Sequence, residues 1–402
     1  MRAAAAAALA ISVLVSAGCG SESHAAEEQA VDLSKLDTGN YSTKPRNVKA
    51  NDPARIGRYL EALRIGNFMP LAQDIDPALK YNVPDVNPFT NGDSFLADKI
   101  AGNDAAFGWL NRTEFDTNTP GFVAGFQTGA RSEDDPTISY EIKTAVMEFE
   151  SDTSAAAAAT ALARSGFGKN EGTEPTHSTA YPTAQIAWLP KYQALASWYP
   201  TGKFIVLALA INHEKSTLGE SDQAGLVALS DKATAVVADR LKEFRPTPAD
   251  KLGDLPLDPQ GMLRMTLIRP DGDMTAFAFD GTLDAHGALL AEEDPNTARS
   301  RFEKAGADAV SYGAGQVVRV RDYAAAESYI TDKASTKFQR RIDSPPALPG
   351  VRCVEYRGPS RTEPPFRCLA AYGQYAAEVW STQKQDVYQR ISAQYAMLVN
   401  SR

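Results

Sequence analysis

The sequence predicts an α+β protein of two related domains, each a mostly antiparallel sheet with helices packed on one face, as in a ferredoxin-like sandwich. Three observations lead to this prediction. The chain has 402 residues, which is long enough for two domains. A proline-rich stretch without periodicity, residues 245–260, divides it. The order strand, helix, strands, helix occurs on both sides of this stretch, about 175 residues apart.

The N-terminus predicts an exported, lipid-modified protein. About fifteen apolar residues are too few to span a bilayer but fit a signal-peptide core, so we expect residues 1–18 to be removed. The run Leu14–Cys19 resembles a lipobox, and acylation of Cys19 would anchor the chain to a membrane. Ser16 stands where Leu is usual, which leaves an ordinary secretory signal as the alternative. Both interpretations place the protein outside the cytoplasm.

The next segments predict a tether and the start of a first domain, residues 31–244. Residues 19–30 are small and polar, which is typical of a flexible tether. Residues 31–51 are rich in turn formers, and we expect them to run over the surface of the first domain. Asp52 and Pro53 then predict the start of a helix that ends near Gly66.

The rest of the first domain predicts strand, helix, hairpin and helix. Tyr140–Phe149 alternates like a strand, and an alanine-rich helix, Thr153–Ala163, follows it. Gln193–Tyr199 and Lys203–Ile211 flank a turn-forming tripeptide. The second of these strands is almost uncharged, which predicts a central strand covered by helices on at least one face. A long amphipathic helix begins after Ser221.

The second domain, residues 261–402, repeats this order. Because the hairpin Ala196–Ile211 matches Cys368–Trp380, we interpret the halves as an internal duplication, with two independent domains of similar layout as the alternative. The predicted elements are strands at Leu263–Ile268 and Thr275–Asp280, a helix from Asp294–Pro295 to Gly306, a strand at Gln316–Val320, a helix from Asp322 to Lys333, strands at 351–357, 366–372 and Tyr375–Ser381, and a closing helix through Val387, Ile391, Tyr395 and Leu398.

The cysteines support an oxidising location. The chain has three, and two remain once Cys19 is assigned to the lipid. Cys353 and Cys368 lie in β-like sequence, which predicts a disulfide. Closing this loop would stabilise the fold by about 3 kcal/mol on the chain-entropy account. A metal pair is the alternative, but no histidine follows His286 to complete such a site.

Composition and motifs exclude several classes of function. The formal net charge is −9 with acidic and basic residues interspersed, which argues against a nucleic-acid partner. The sequence contains no phosphate-binding loop, nucleophile elbow, zinc helix or EF-hand loop. We therefore expect no cofactor and no metal. The four histidines are isolated from one another in the sequence: His24, His177, His213 and His286.

Three acidic clusters could serve a hydrolase that uses carboxylates, but each has a simpler structural interpretation. Glu133–Asp135 precedes a proline and predicts a solvated turn. Glu292–Asp294 lies at a helix start, where negative charge is favourable. Asp271–Asp273 predicts a hairpin turn, with a bound cation as the alternative. No residue is therefore predicted to be catalytic, and we expect a protein that is not an enzyme.

Aromatic residues are the one feature that could serve ligand binding. They crowd one hairpin in each half, although most such residues belong to a core or to cross-strand pairs. A groove between the halves, lined by both sets, would suit a small apolar, lipid or glycan ligand; its absence would favour an envelope protein bound through an apolar patch. The seven candidates are Trp188, Tyr192, Trp198, Tyr199, Tyr372, Tyr375 and Trp380.

Several segments resemble a known family. Val31–Tyr41, with Lys44-Pro45-Arg46 behind it, resembles the start of a family of uncharacterised two-domain lipoproteins from mycobacteria, nocardiae and related actinobacteria. Phe302–Val310 and Tyr375–Val379 are similar to its C-terminal domain. The resemblance covers the mature chain and implies an envelope location and two domains, but no functional residues.

These observations together predict a non-enzymatic lipoprotein at the outer face of the plasma membrane. We expect it to bind or sense a ligand or an envelope partner. Two alternatives remain: an envelope hydrolase that uses carboxylates, and a structural component of the envelope.

Overall fold

The structure, a computed structural model, describes residues 31–49, 52–83, 86–95, 114–167, 172–273, 279–359 and 363–401. The expected leader, Cys19 and the tether lie outside these residues, as does most of the expected strand Thr275–Asp280. Within the described residues, no helix is both long and apolar enough to cross a membrane.

Helices begin where the sequence supplies a capping side chain. Asp52, Ser151, Asp294 and Asp322 each accept a hydrogen bond from a backbone N–H of the following turn, which confirms the predicted helix starts. The helices are α1 (Pro53–Gly66), α2 (Ala72–Ile75), α3 (Gly92–Phe95), α4 (Phe115–Asn118), α5 (Asp152–Ser165), α6 (His213–Leu218), α7 (Gln223–Leu241), α8 (Ala285–Leu289), α9 (Pro295–Ala305), α10 (Tyr323–Lys333) and α11 (Lys384–Val399).

The strands form two sheets, and their described neighbours all pair antiparallel, as expected for an α+β protein. The strands are β1 (Tyr81–Asn82), β2 (Asn87–Phe89), β3 (Phe122–Arg131), β4 (Tyr140–Phe149), β5 (Glu174–Thr176), β6 (Gln185–Leu189), β7 (Ala194–Thr201), β8 (Phe204–Asn212), β9 (Gly281–Asp284), β10 (Ala309–Tyr312), β11 (Gly315–Arg319), β12 (Gln339–Ile342), β13 (Arg352–Tyr356), β14 (Phe366–Tyr372) and β15 (Tyr375–Ser381).

The two sheets repeat one topology. The first has the strand order β1-β3-β4-β8-β7-β6-β5, with β2 also beside β3, and the second has the order β12-β13-β14-β15-β11-β10-β9. Each strand from β3 to β8 corresponds to the strand seven places further along the chain. Helices α5 and α10 follow β4 and β11, and α7 and α11 follow β8 and β15. The expected match of the β7–β8 and β14–β15 hairpins is therefore present, in agreement with an internal duplication.

Each sheet is covered by helices on both faces, so the prediction of helices on one face is wrong. In β14, Cys368 and Ala370 belong to the apolar cluster of α11, whereas Leu369 and Ala371 belong to the cluster that contains α9 and α10. In the first sheet, α5 lies on one face and α1 and α7 lie on the other. The reason is that successive side chains of the central strands are apolar on both faces.

The two halves share one apolar core, which the sequence did not predict. Helix α1 packs on β3 of the first sheet and on β9 of the second, and Leu63 lies against Gly281. Polar contacts reinforce this junction, since Tyr59 Oη donates to the Asp280 carbonyl (2.7 Å) and Asn82 Nδ2 donates to the Glu292 carbonyl (2.7 Å). The halves are thus joined by packing as well as by the chain between them.

The expected linker, residues 245–260, is held against α1. It contains a 3-10 turn, Ala249–Asp254, that packs on this helix. Thr247 donates from its backbone nitrogen and its hydroxyl to the two carboxylate oxygens of Glu61, at 2.7 Å each. Proline-rich sequence here therefore forms a fixed surface segment and not a free spacer.

Two segments that pack on the second half differ from the sequence predictions. Residues 31–46, which we call the strap, lie on the second half and not on the first. Leu263–Met265 forms a 3-10 helix instead of a strand. The residues after it are extended, but side chains occupy their backbone groups: Arg46 donates to the Thr266 and Leu267 carbonyls (2.8 Å each), and Gln394 accepts from the Leu267 nitrogen (2.8 Å).

Candidate functional site

The aromatic residues named from the sequence do not converge on one groove. Trp188, Trp198, Tyr372 and Trp380 are buried, each at most 9% exposed. Neighbours on a strand point to opposite faces, so Trp198 packs in the cluster of α5 whereas Tyr199 packs on the α7 side.

The other aromatic candidates are half-buried and equally separated. Tyr192 packs in the first half, and Tyr375 packs against the cluster of α11 in the second. Their burial and separation count against the hypothesis that some of them line a groove between the halves. The four buried residues belong to the core because both faces of each sheet are covered.

A polar pocket lies instead on the second half. Three segments meet there: the strap, the turn at residues 270–273, and the junction between β15 and α11. Its volume is about 410 Å³, enough for a small ligand. The lining residues are Tyr41, Pro270, Asp271, Gly272, Asp273, Ser381, Thr382, Gln383, Asp386 and Arg390.

Arg390 is the centre of this pocket. Its side chain is 7% exposed, and its Nη1 donates to Asp273 Oδ2 at 2.6 Å. Its Nε donates to Asp386 Oδ2 at 2.8 Å and to Tyr41 Oη at 3.1 Å. Burial disfavours the charge, but Asp273 and Asp386 outweigh it and raise the pKa of Arg390. One permanently charged guanidinium therefore ties together the strap, the turn and α11.

Tyr41 completes the network from the strap. Its hydroxyl donates to Asp386 Oδ1 at 2.6 Å, and the Arg390 guanidinium lies 5.6 Å from its ring centre. Burial and the neighbouring Asp386 raise the pKa of Tyr41 to about 12. The phenol therefore stays protonated at neutral pH and acts as a hydrogen-bond donor.

The electrostatics of the pocket limit what it can bind. Three carboxylates, Asp271, Asp273 and Asp386, face one guanidinium, which leaves two formal negative charges unmatched. Anions are therefore disfavoured, whereas hydroxyl groups can donate to the carboxylate oxygens. In the described part of the chain, no group of three or more His, Cys, Asp or Glu side chains could hold a metal ion. Arg390 forms an ion pair with Asp273. Asp273 is one of the two aspartates for which the sequence left a bound cation as the alternative.

Sequence reasoning missed most of this site. It recognised the turn at Asp271–Asp273 but not the burial of Asp273, and it did not single out Tyr41, Asp386 or Arg390. One signal was available. Arg390 lies beside Ile391 within the apolar stripe of the closing helix, and a charge on a buried face requires a partner. The partner residue, 117 positions away in the chain, could not be inferred.

One buried acid, Glu148, does have the raised pKa that the general acid of a carboxylate hydrolase needs. Burial and the charge of Glu61 raise the pKa of Glu148 to about 8. However, Glu61 is fully buried and Glu148 is 2% exposed beneath α1. Glu61 also accepts two hydrogen bonds from Thr247. Glu61 thus fixes the segment after α7 to α1, and the buried pair offers no access to a substrate.

The remaining predicted features lie apart from the pocket. The structure contains the predicted disulfide between Cys353 and Cys368, which pair directly across β13 and β14. Glu133–Asp135 is an exposed turn, and Asp294 caps α9, as predicted. Among the histidines, His177 is exposed, His213 lies 3.6 Å from Glu141, and His286 contacts the Met69 carbonyl (2.8 Å).

Comparison with known proteins identifies a family without an assigned activity. The N-terminal domain of unknown function DUF7373 matches residues 48–257, and the DUF7373 C-terminal domain matches residues 262–401. No curated protein matches the chain. Because the two matches together cover most of the chain, this protein belongs to the two-domain DUF7373 family.

Proposed function

We propose that this protein is a non-enzymatic binding protein of the cell envelope, and that the pocket around Arg390 is its ligand site. The observation that carries the proposal is the preorganised network of Tyr41, Asp273, Asp386 and Arg390 in a concave, polar setting. While residues 31–46 are docked, its donors and acceptors are fixed by one another, which reduces the entropic cost of ordering them around a ligand.

The chemistry of the lining favours a neutral, hydroxyl-rich ligand such as a glycan. Carboxylate, hydroxyl and amide groups surround the cavity, and the unmatched negative charge opposes phosphates and acidic sugars. The same polarity argues against a fatty acid or another apolar ligand. Of the ligands considered from the sequence, a glycan fits this pocket best.

The hydrolase alternative has less support. Asp386 accepts hydrogen bonds from Tyr41, Ser381 and Arg390, so both of its carboxylate oxygens are already engaged as acceptors. The acid with a raised pKa, Glu148, is buried elsewhere, beside Glu61. A glycosidase requires both roles in one accessible site.

Calorimetric titration tests the ligand assignment. We expect maltotriose or chitotriose to bind to the full mature chain, and glucose 6-phosphate and palmitate to bind far more weakly. Asp271→Asn should weaken binding about tenfold, because Asp271 is an exposed lining carboxylate that can accept from a ligand hydroxyl. Asp250→Asn, an exposed acid on the segment beside α1, serves as the matched control. Binding that is equal in both variants, or stronger for the anion, would contradict the assignment.

We also propose that Cys19 carries acyl chains that hold the protein at the outer face of the plasma membrane. The support is the lipobox-like run and the polar segment that follows it. Mass spectrometry of the native N-terminus should find a chain that begins at an acylated Cys19, and Cys19→Ser should release the protein from the membrane fraction. An unmodified N-terminus further along the chain would instead support ordinary secretion. We propose in addition that the protein comes from an actinobacterium, as the family resemblance implies.

A further inference from the structure

Half-buried Val31, Leu33 and Leu36 pack the start of the strap against the core of the second half, and polar contacts hold its later residues. Asp37 accepts from Gln385 (2.7 Å) and Gln389 (3.1 Å) of α11, and the Thr43 carbonyl accepts from Asn400 (2.8 Å). None of residues 31–46, all of which the structure describes, is fully buried. Segments with little apolar burial and exposed hydrogen bonds open at lower free energy than the core. Because no residue of the strap is fully buried, we expect it to open at lower free energy than the core.

Tyr41 is the point where the strap enters the pocket. Its hydroxyl is bonded to both Asp386 and Arg390, and Arg390 is bonded in turn to Asp273. Departure of the strap would remove one wall and break two of these bonds. The pocket is thus complete only while the strap is docked. The family match begins at residue 48, so Tyr41 is a contribution from outside both matched domains.

We infer that the strap is a ligand-responsive wall: a ligand seated against Tyr41 holds residues 31–46 on the second half, and an empty pocket allows the strap to open. The inference rests on the proposed function of the pocket and adds its regulation. It follows from linkage, because a ligand that needs Tyr41 and α11 together binds only the docked state and shifts the equilibrium toward it.

Release of the strap would lengthen the tether between the folded body and the membrane. The strap joins directly to residues 1–30, which contain the proposed tether and anchor. If its 16 residues are released, they extend the tether by up to about 50 Å. Occupancy of the pocket would therefore set how far the folded body can move from its attachment point.

Hydrogen exchange measured by mass spectrometry tests the docking part without a ligand. In the full mature chain, Tyr41→Phe should speed exchange of the Tyr41 and Arg46 amides about fivefold, because the phenol bond to Asp386 is lost. Tyr388→Phe is the matched control, since it removes a phenol on α11 whose partner is the Asp343 carbonyl. Equal exchange of the strap in wild type and Tyr41→Phe would overturn the inference.

The second arm adds maltotriose at about ten times its measured dissociation constant. Exchange of the strap amides should then slow about tenfold in the wild-type protein. Binding without any slowing would overturn the coupling while leaving the proposed binding function intact. Absence of binding by maltotriose and chitotriose would instead reject the proposed function, and the ligand-responsive role with it.

Discussion

Lys333, at the end of α10, is buried together with two carboxylates. Its Nζ lies 3.1 Å from Glu292 Oε2 and 3.5 Å from Glu378 Oε2. Burial alone would lower the pKa of Lys333, but the two carboxylates raise it above its usual range. Glu378 is also bound by Gln316 (2.7 Å) and Arg367 (3.1 Å). As at Arg390, a charge is tolerated inside this protein because several opposite or polar groups surround it.

Glu148 shows the opposite solution, in which a buried acid keeps its proton. The pKa of Glu148 is about 8 in the folded protein, compared with 4.5 for an ordinary glutamate side chain. Between these two pH values the folded state therefore binds a proton that the unfolded chain releases. The free energy of unfolding should therefore fall as pH rises from about 4.5 to 8, by about 1.4 kcal/mol per pH unit from this group.

Glu148→Gln tests this account. The amide keeps the shape of the neutral acid and does not titrate, so the variant should lose the decrease in stability between pH 5 and pH 8. Urea denaturation at pH 5, 6.5 and 8 measures the difference. Glu150→Gln, which changes an exposed acid just after β4, is the control. An unchanged pH dependence in Glu148→Gln would show that Glu148 is ionised in the folded protein.

At the scale of elements, α1 approaches the 249–254 turn so closely that only glycine fits at residue 57. A Cβ at Gly57 would lie 2.0 Å from the Leu252 carbonyl oxygen. Gly57→Ala should therefore destabilise the protein by about 1–3 kcal/mol, even though alanine favours helices. Gly350→Ala is the matched control, because nothing lies within 4 Å of its Cβ position. Equal unfolding midpoints in urea for the two variants would contradict the close packing.

The disulfide joins two neighbouring strands of the second sheet, β13 and β14, and closes a loop with a sequence separation of 15. Replacing both cysteines by alanine should reduce the free energy of unfolding by about 3 kcal/mol, chiefly because the unfolded chain is no longer constrained. Thermal unfolding of the mature chain, with and without reductant, measures the same loss independently. A double variant as stable as the oxidised wild type, or a wild type insensitive to reductant, would refute it.

At the scale of the whole molecule, the shared core should make the two halves unfold together. Apolar residues from both halves form one cluster, which includes Leu63, Phe126, Leu283, Phe302 and Tyr312. The strap adds contacts from the N-terminal side to the second half. An isolated half would expose part of this cluster and would lose these contacts.

Fragment 262–401 therefore should not fold cooperatively by itself. We expect it to aggregate or to show no sharp unfolding transition, whereas the mature chain shows a single transition in calorimetry. Exchange measured separately for peptides of the two halves gives an independent check, since both should open with the same free energy. Two separate transitions, or a stable fragment, would show that the shared core contributes little.

Local features of the sequence were sufficient for much of the fold. The caps at Asp52, Ser151, Asp294 and Asp322 positioned four helices, because capping depends on residues within one turn. Alternation and turn residues located the hairpin strands and their repetition. The location and spacing of Cys353 and Cys368 were enough to predict their pairing.

What the tertiary structure alone decided concerns contacts between distant residues. The strap lies on the second half because Tyr41 and Arg46 find partners in residues more than 200 positions away. Four of the seven aromatic candidates are core because helices cover both faces of each sheet, which strand patterns by themselves do not reveal. The pocket exists because Asp273, Asp386 and Tyr41 converge on Arg390 from three segments. Local sequence fixes caps, turns and alternation, whereas a site of this kind depends on the packing of the whole chain.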